Sequence, residues 1–473
     1  MKQHQQKFLM TFMFVVFVLS TIVSANSFDL VQSNKKFLLA AYLPWFKVSD
    51  LQTYECNHWE WCGGYASVYT PLLGVYDNVN EDSDRTRRAH LMQMRASGVN
   101  GVIVNWFGEK DPNGNPRYEN QGTHLLVENL PQEMGFAIML DAENYRDAVN
   151  TNTSVRKERF LNDVRYLKSQ FFEHPNYLKM DGKPILEYFR KPLSETLDNR
   201  TVPFEWWQQI SDEVDFAFVE QIVDKEKEPN FFKFSKALFG WPEPTHDDPQ
   251  DYGYYVIKHV LDNTLDWKET NDPDLSQNFT VITGIWPGFD DTGVLGWTCD
   301  HNSVRKINRE VGNQQVLSKT YQQIKEYNQN VKSKFPNNYH KYIINTLQIA
   351  TFNDWNEGSQ IEASKEFGIN DIINTATIAQ DFGVEFTHLD TQHYDSLKKY
   401  LSILNPNNDH GLELSETQKI ELENLFFAEK YDEFTLNIDR YFNDQVSETP
   451  FFKPFHSFLL ILFFSIFVLM GFF

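Results

Sequence analysis

"NTLQIATFNDWNEGSQIE", residues Asn345 to Glu362, decides how the chain is read. Its first part, "NTLQIATF", is a short apolar run of strand character. The second part places two acids, Asp354 and Glu357, three residues apart, with Trp355 between them and Gly358 after them. A buried strand gains nothing by ending in an acid, a Trp and a Gly. A carbohydrate site does gain: it needs two carboxyls that can hold different protonation states, beside an aromatic face on which a sugar ring lies. The competing reading is purely structural, a helix N-terminus with Asp354 as cap and Glu357 at the fourth position.

Seven similar runs precede it. They are "FLLAAYLPW" (Phe37 to Trp45), "GVIVNWF" (Gly101 to Phe107), "FAIMLDAE" (Phe136 to Glu143), "PILEYF" (Pro184 to Phe189), "FAFVEQIV" (Phe216 to Val223), "ALFGW" (Ala237 to Trp241) and "TVITGIWPG" (Thr280 to Gly288). Runs that are apolar throughout belong to strands buried on both faces, as in a parallel sheet. Helical patterns lie between them. "SDRTRRAHLMQMRASG" lines up Ala89, Met92 and Ala96 and stops at Gly98, and "SVRKERFLNDVRYLKSQFF" lines up Phe160, Val164 and Leu167. Eight strand–helix units predict an α/β fold, a (β/α)8 TIM barrel. An open doubly wound sheet is the alternative, but no glycine-rich phosphate fingerprint follows any strand. Two further segments read as helices: "TQHYDSLKKYLSIL" is expected to pack on the barrel, and "SETQKIELENLFFAEKYDEFTLNIDRYF" to form a short C-terminal helical extension, a cap or stalk.

Barrel sites are built at the C-terminal ends of the strands. Those ends carry Tyr42 and Trp45, Asn105 and Trp106, Asp141 and Glu143, Glu187 and Tyr188, Glu220 and Gln221, Trp241 and Glu243, Trp286 and Asp290, then Asp354 and Glu357. Asp354 and Glu357 are the candidate catalytic pair. Trp45, Trp106, Trp286 and Trp355 are candidate stacking faces, Tyr42 and Tyr188 further substrate contacts, and His58 in "NHWEW" a contact from the first loop. The chain has no HxH on the first strand, no His cluster and no CxxC, so neither a metal nor a cofactor is expected.

The chain has 473 residues, 41% hydrophobic and 15% aromatic, enough for a large core. Its formal charge of −22 argues against a nucleic-acid partner, because phosphate backbones require clustered Lys and Arg. Both termini read as addresses. Lys2 and Lys7 precede the apolar run Phe8 to Val23, and "VSA" offers cleavage after Ala25, a signal peptide over residues 1–25; a signal anchor competes. Residues 448–473 end in an uncharged run, Ser457 to Phe473, which fits a GPI signal with Ser447 as attachment residue; Asn443 is the alternative residue and a membrane span the alternative anchor. Sequons at Asn152, Asn199 and Asn278 agree with the secretory route and a cell-surface location. Of the three Cys, Cys56 and Cys62 in "CNHWEWC" are close enough to form a disulfide, leaving Cys299 over. The expected division is therefore signal 1–25, catalytic domain 26–405, helical cap or stalk 406–447, and anchor 448–473.

Five segments resemble glycoside hydrolase family 99, the endo-α-mannosidases, over roughly Ala40 to Ser364. "AAYLPWF" is similar to that family's "YYPWY", "HLMQMRASGVNGVIVNWFG" to "HMRWMRQAGIGVLVLSWYP", and "FFEHPNYLKMDGKPILEYF" to "…HPAFYRxxGKPLFYVY". "GIWPGFDDT" is similar to "VGPGYIDTR" and "TFNDWNEGSQIE" to "TSFNEWHEGTQIE". The resemblance implies a glycosidase with Glu357 as general acid and Asp354 as the partner that deprotonates the sugar's own 2-hydroxyl, and it makes Asp141 a substrate contact. Three departures stand out. Asp354 replaces a Glu, Asn356 replaces a His, and Gly293 stands where an Arg follows the "DT". "NDW" followed by Glu357 also resembles the "NDYGES" segment of glycoside hydrolase family 71, the α-1,3-glucanases. The expectation is an endo-acting hydrolase of α-mannoside or α-glucan; the alternative is an inactive cell-surface carbohydrate-binding or adhesion protein on the same barrel.

Overall fold

The eight apolar runs form eight parallel strands, and the sheet closes on itself. The structure is a computed structural model. It describes residues 28–33, 35–48, 58–145, 153–190, 202–221, 229–241, 280–311, 314–336, 339–406 and 413–448. The strands are β1 (Phe37–Tyr42), β2 (Gly101–Trp106), β3 (Gly135–Asp141), β4 (Lys183–Phe189), β5 (Ala217–Gln221), β6 (Ala237–Phe239), β7 (Thr280–Ile285) and β8 (Thr346–Ile349). Each pairs in parallel with the next, and β8 returns to β1 with Leu38 beside Leu347 and Leu39 beside Gln348. Every residue of β1, β2 and β3 is buried, as a sheet with a filled interior and a helical coat requires. This is the (β/α)8 barrel. The open sheet falls away because both edges of β1 are paired.

The helices are α1 (Asp84–Ala96), α2 (Tyr118–Asn129), α3 (Thr153–Leu167), α4 (Phe204–Ser211), α5 (Pro229–Phe234), α6 (Val316–Lys334), α7 (Asn370–Phe382), α8 (Thr391–Leu404), α9 (Glu416–Phe427) and α10 (Tyr431–Glu448). The expected faces are the buried ones: Ala89, Met92 and Ala96 on α1, and Phe160, Val164 and Leu167 on α3. Gly98 ends α1 at φ +77°, where a Cβ would lie 2.6 Å from that of Ala379 on α7.

The helices past residue 405 are not a separate stalk. Leu422, Phe426, Phe434 and Ile438 share one apolar cluster with Ala89, Met92, Leu397 and Trp355. Arg85 and Arg88 of α1 reach the buried Glu423 of α9 at 2.9 and 2.7 Å, and the Tyr400 hydroxyl donates to the same carboxylate at 2.6 Å. Ser447 lies in the last turn of α10. Among the described residues no helix is long and apolar enough to cross a membrane. The signal segment 1–25, the tail 449–473 and the sequons at Asn152, Asn199 and Asn278 lie outside the described residues.

The disulfide differs from expectation. Cys62 is bonded to Cys299, 237 residues away, with a Cα–Cα distance of 5.8 Å. Nearness in sequence pointed to Cys56, which lies outside the described residues. The fold decides otherwise because the loop after β1 and the loop after β7 converge over the barrel mouth, within bridging distance.

Alternation along the strands sends every second side chain into the barrel. Glu187 of β4 and Gln348 of β8 stand on opposite sides of the ring and meet inside it, Gln348 Nε2 donating to Glu187 Oε2 at 3.2 Å. Both residues are fully buried. Glu187 Oε1 and Gln348 Oε1 have no partner among the described residues, so a proton on Glu187 supplies the missing donor. Burial pushes the carboxyl up to about 8.

Between about 4.5 and about 8 the folded chain holds a proton that the unfolded chain has released. Stability therefore falls as pH rises through that window. Glu187→Gln keeps the shape and the donor and has nothing to titrate. Its advantage over wild type in unfolding free energy, read by calorimetry, should grow across the window, by at most about 1.4 kcal/mol per pH unit, and level off above it. Equal pH slopes for the two proteins would show that Glu187 is not the titrating group.

Candidate active site

The segment after β8 folds back on itself over the barrel mouth. Thr351 N donates to Ser359 O at 2.9 Å, and Ile361 N returns to Thr351 O at 3.1 Å. Inside that fold is one tight turn. Thr351 Oγ1 accepts the Asp354 N–H at 2.7 Å, and Asp354 Oδ1 accepts the Glu357 N–H at 3.0 Å. The second of these is the bond expected of a helix cap, but no helix follows; the next begins at Asn370. The turn serves to present side chains.

Four neighbours hold it. Asn353 grips the end of β1, accepting the Leu43 N–H at 2.8 Å and donating to the Leu43 carbonyl at 3.0 Å. Asn356 Nδ2 donates to the carbonyls of His58 and Ala66 in the first loop, at 2.7 and 3.0 Å. Arg309 Nη2 donates to the carbonyls of Gly358 and Gln360, at 3.0 and 2.7 Å. Gly358, at φ +60°, lets the backbone of Asp290 approach: a Cβ there would stand 3.0 Å from the Asp290 carbonyl. In exchange Asp290 N donates to the Glu357 carbonyl at 2.7 Å.

Charge at this turn is unevenly spread. Asp354 is buried and Glu357 half-buried. Burial first, and the charge of Glu357 second, raise the Asp354 carboxyl well above the usual carboxylate range. Two acids on one turn titrate as a pair, and burial favours the neutral form of Asp354. Two further acids in the loop after β7 have partners: Asp290 meets Lys306 at 2.7 Å and Asp291 meets Arg305 at 2.9 Å.

Of the other expected contacts, Trp45, His58 and Asp141 reach the mouth. The Trp45 indole and the His58 ring are stacked, with centroids 4.3 Å apart and planes within 2°. Enclosure lowers His58 to about 4, so it is neutral at pH 7. Trp45 Nε1 and His58 Nδ1 are both buried without a partner among the described residues. Asp141 ends β3 and accepts from Asn105 Nδ2 at 3.3 Å and from the Glu143 N–H at 2.8 Å.

The remaining five are core. Tyr42, Trp106 and Tyr188 occupy the outward positions of their strands. The Tyr42 hydroxyl bonds His90 Nδ1 at 3.0 Å, Trp106 Nε1 donates to Asn120 at 2.9 Å, and the Tyr188 hydroxyl accepts the Val202 N–H at 2.8 Å. Trp286 is buried with Phe289, Ile307 and Ala350. Trp355, between the two acids in sequence, points away from both, its Nε1 donating to Tyr76 Oη at 3.0 Å and to Glu362 at 2.9 Å. Conversely, the sequence reading passed over Trp297, whose Nε1 donates to Glu357 Oε1 at 3.1 Å. Its only signal was an aromatic between two loop glycines and the unmatched Cys299. Among the described residues no group of three or more His, Cys, Asp or Glu side chains is placed to hold a metal ion.

No family model matches the chain. Two curated relatives match at low identity. One is the "Glycoprotein endo-alpha-1,2-mannosidase" of Xenopus laevis, 21% identical over 319 residues, covering 63% of this chain and 58% of that protein. The other is the "Glycoprotein endo-alpha-1,2-mannosidase-like protein" of Mus musculus, 20% identical over 306 residues with the same coverages. The match thus spans about 58% of the length of these relatives. The endo-α-mannosidase of glycoside hydrolase family 99 from Bacteroides thetaiotaomicron aligns over 73% of this chain and 97% of that one, at 17% identity and a TM-score of 0.48. The chain is a distant homologue of endo-α-mannosidases.

The placement of Trp355 generates a test. Trp355→Phe keeps the ring and deletes the N–H, leaving the buried Glu362 carboxylate one donor short. Urea unfolding should show a loss of about 1–3 kcal/mol, with oligosaccharide affinity, read by calorimetry, unchanged. A variant of full stability that loses sugar affinity would put Trp355 back among the substrate contacts.

Proposed function

We propose that the chain is a glycoside hydrolase that cleaves α-linked glycans within the chain, α-mannosides first among them. Glu357 gives a proton to the leaving oxygen and Asp354 is the second carboxyl. One observation carries the reading: two carboxyls share a single tight turn at the C-terminal end of a barrel, Asp354 Oδ1 receiving the Glu357 N–H at 3.0 Å, in a chain distantly homologous to endo-α-mannosidases. Glycoside hydrolysis needs such a pair, one group to protonate the leaving oxygen and one to work at the other face of the sugar. The stacked Trp45 and His58 supply an aromatic wall with two polar atoms in want of partners, suited to a polyhydroxylated ligand. An α-1,3-glucan is the competing substrate and rests on the "NDW" segment alone. For location, the proposal is the outer cell surface through a lipid anchor, resting on the uncharged run Ser457 to Phe473.

The unequal burial of the pair favours a second assignment of roles. Burial and the charge of Glu357 favour the neutral form of Asp354. On that assignment Asp354 is the donor and Glu357 the base. Activated substrates distinguish the two. Glu357→Gln should lose hydrolysis of an unactivated α-mannoside by about 10²–10⁴-fold and still bind it. If Glu357 is the acid, this variant keeps near-normal turnover of a 2,4-dinitrophenyl α-mannoside, whose leaving group needs no proton. If Asp354→Asn shows that pattern instead, the roles are reversed. Binding without hydrolysis by the wild-type protein on α-mannan, α-1,3-glucan and high-mannose glycans would favour the carbohydrate-binding alternative.

Stereochemistry gives an independent test. Asp is one methylene shorter than Glu, which draws the carboxyl back by roughly 1–1.5 Å. Drawn back from the sugar, Asp354 would act through an intervening water instead of on the 2-hydroxyl, and direct displacement by water inverts the centre. Proton NMR of the first product, recorded before mutarotation, should show the β-anomer from an α-linked substrate. An initial α-anomer would mean the 2-hydroxyl route survives the shortening.

A further inference from the structure

Around Trp297 the backbone takes a conformation it would not choose unaided. Leu295, Trp297 and Cys299 have φ of +49°, +64° and +58°, and Gly296 between them is at +64°. A side chain on Gly296 would collide with the Ser303 carbonyl. Non-glycine residues in the left-handed region cost roughly 1 kcal/mol or more each, and they persist only where the surroundings impose them. Three impositions are visible. The Cys62–Cys299 disulfide ties the loop to the first loop. Gly293 lies so close to that loop that a Cβ would come within 2.6 Å of Ser67 N and 2.7 Å of the Ala66 carbonyl carbon. The Trp61 indole packs edge-on against Trp297 at 5.1 Å between centroids. The loops after β1 and β7 thus meet above the loop after β8, and what they trap there is the Glu357 carboxyl, with Trp297 Nε1 at 3.1 Å from Oε1.

We propose that Trp297 is a positioning residue for Glu357, its indole N–H fixing one carboxyl oxygen, with the Cys62–Cys299 bridge and the Gly293 contact pinning the loop that carries it. The oxygen that accepts an N–H is the carbonyl-type oxygen of the protonated acid. Oε1 is therefore taken by Trp297, and whichever role Glu357 plays, a proton that it gives or receives is carried on Oε2. Trp297 and the bridge together fix the orientation of the carboxyl and how readily it gives up its proton. The inference rests on the glycosidase reading for its consequence but not for its geometry.

Among the described residues, the other charged groups around this turn keep their own partners. Asp290 is held by Lys306, Asp291 by Arg305, and the Arg309 guanidinium by Asp371 at 2.6 Å and by two carbonyls of the turn. Asp354 is on the same turn, and His58 lies 6.5 Å from Trp297 between ring centroids. All of them remain in a Trp297 variant, so a change in the titration of Glu357 reports the lost N–H.

The test is Trp297→Phe in the full-length protein, which keeps a ring against Trp61 and removes the donor. An N–H bond to a carboxylate favours the ionised form. Its loss should move the limb of the pH–rate profile governed by Glu357 to higher pH, the alkaline limb if Glu357 is the acid and the acid limb if it is the base. kcat should fall roughly 10- to 100-fold, the effect of one hydrogen bond to a charged group, with KM within about twofold. The Cys62→Ser/Cys299→Ser double variant, which leaves Trp297 in place but unpins its loop, should move the same limb in the same direction. A readout without turnover separates this proposal from the glycosidase reading: a ¹³C-glutamate NMR titration, with Glu357 assigned by the resonance missing from Glu357→Gln. An upward shift of that resonance's midpoint in Trp297→Phe supports the proposal even if the wild-type protein hydrolyses nothing. A lowered Tm with an unmoved limb and an unmoved midpoint would overturn it, leaving Trp297 as packing only.

Discussion

The site depends on the two hydrogen bonds from Asn353 to the backbone of Leu43. They fasten the loop after β8 to the end of β1, across the seam where the barrel closes. With that attachment fixed, the next five residues have little freedom. Thr351 fixes Asp354, Asp354 fixes the backbone of Glu357, and Asn356 is drawn to the carbonyls of the first loop. A carboxyl pair on an untethered loop would need ordering each time a substrate arrived. Here the ordering is done by folding, which is what the proposed catalysis would need of position.

Much of the fold was legible because a closed parallel barrel repeats one local pattern eight times. Runs such as "GVIVNWF" and "FAIMLDAE" are apolar on both faces, and only a sheet covered on both sides explains that. The C-terminal helices were legible as helices but not as packing. Phe426 and Phe434 give the same pattern on a free stalk as on a helix docked against α1, and the buried Glu423 between Arg85 and Arg88 decides for the second.

The site was less legible, and strand parity is the reason. Tyr42, Trp106 and Tyr188 stand at the correct end of their strands but on the wrong face, one residue from an inward position. A sequence shows that an aromatic ends a strand; it does not show which side the pleat gives it. Where a strand-end residue sits in phase with the interior, as Asp141 does, the reading reached the mouth. Trp297 and its disulfide were missed for a different reason. They depend on two loops that are far apart in sequence and converge only in three dimensions, whereas Cys56 and Cys62 lie close together on paper.

The departures from the family-like segment are connected through the same contact. Gly293 stands where an Arg was expected, and the space a side chain would need there is filled by the backbone of Ala66 and Ser67. Asn356 stands where a His was expected, and its amide holds the carbonyl of that same Ala66. An Arg at 293 would push the first loop away, and without that loop Asn356 would lose both of its acceptors and Cys62 its approach to Cys299. The loop from β7 would then have nothing to hold its left-handed residues, and Trp297 would leave Glu357. A shorter acid at 354 suits this arrangement: it sits deeper beneath the joined loops, where burial and the charge of Glu357 press it towards the neutral form. These substitutions are best understood together, as what a barrel mouth requires once two of its loops are closed over the third.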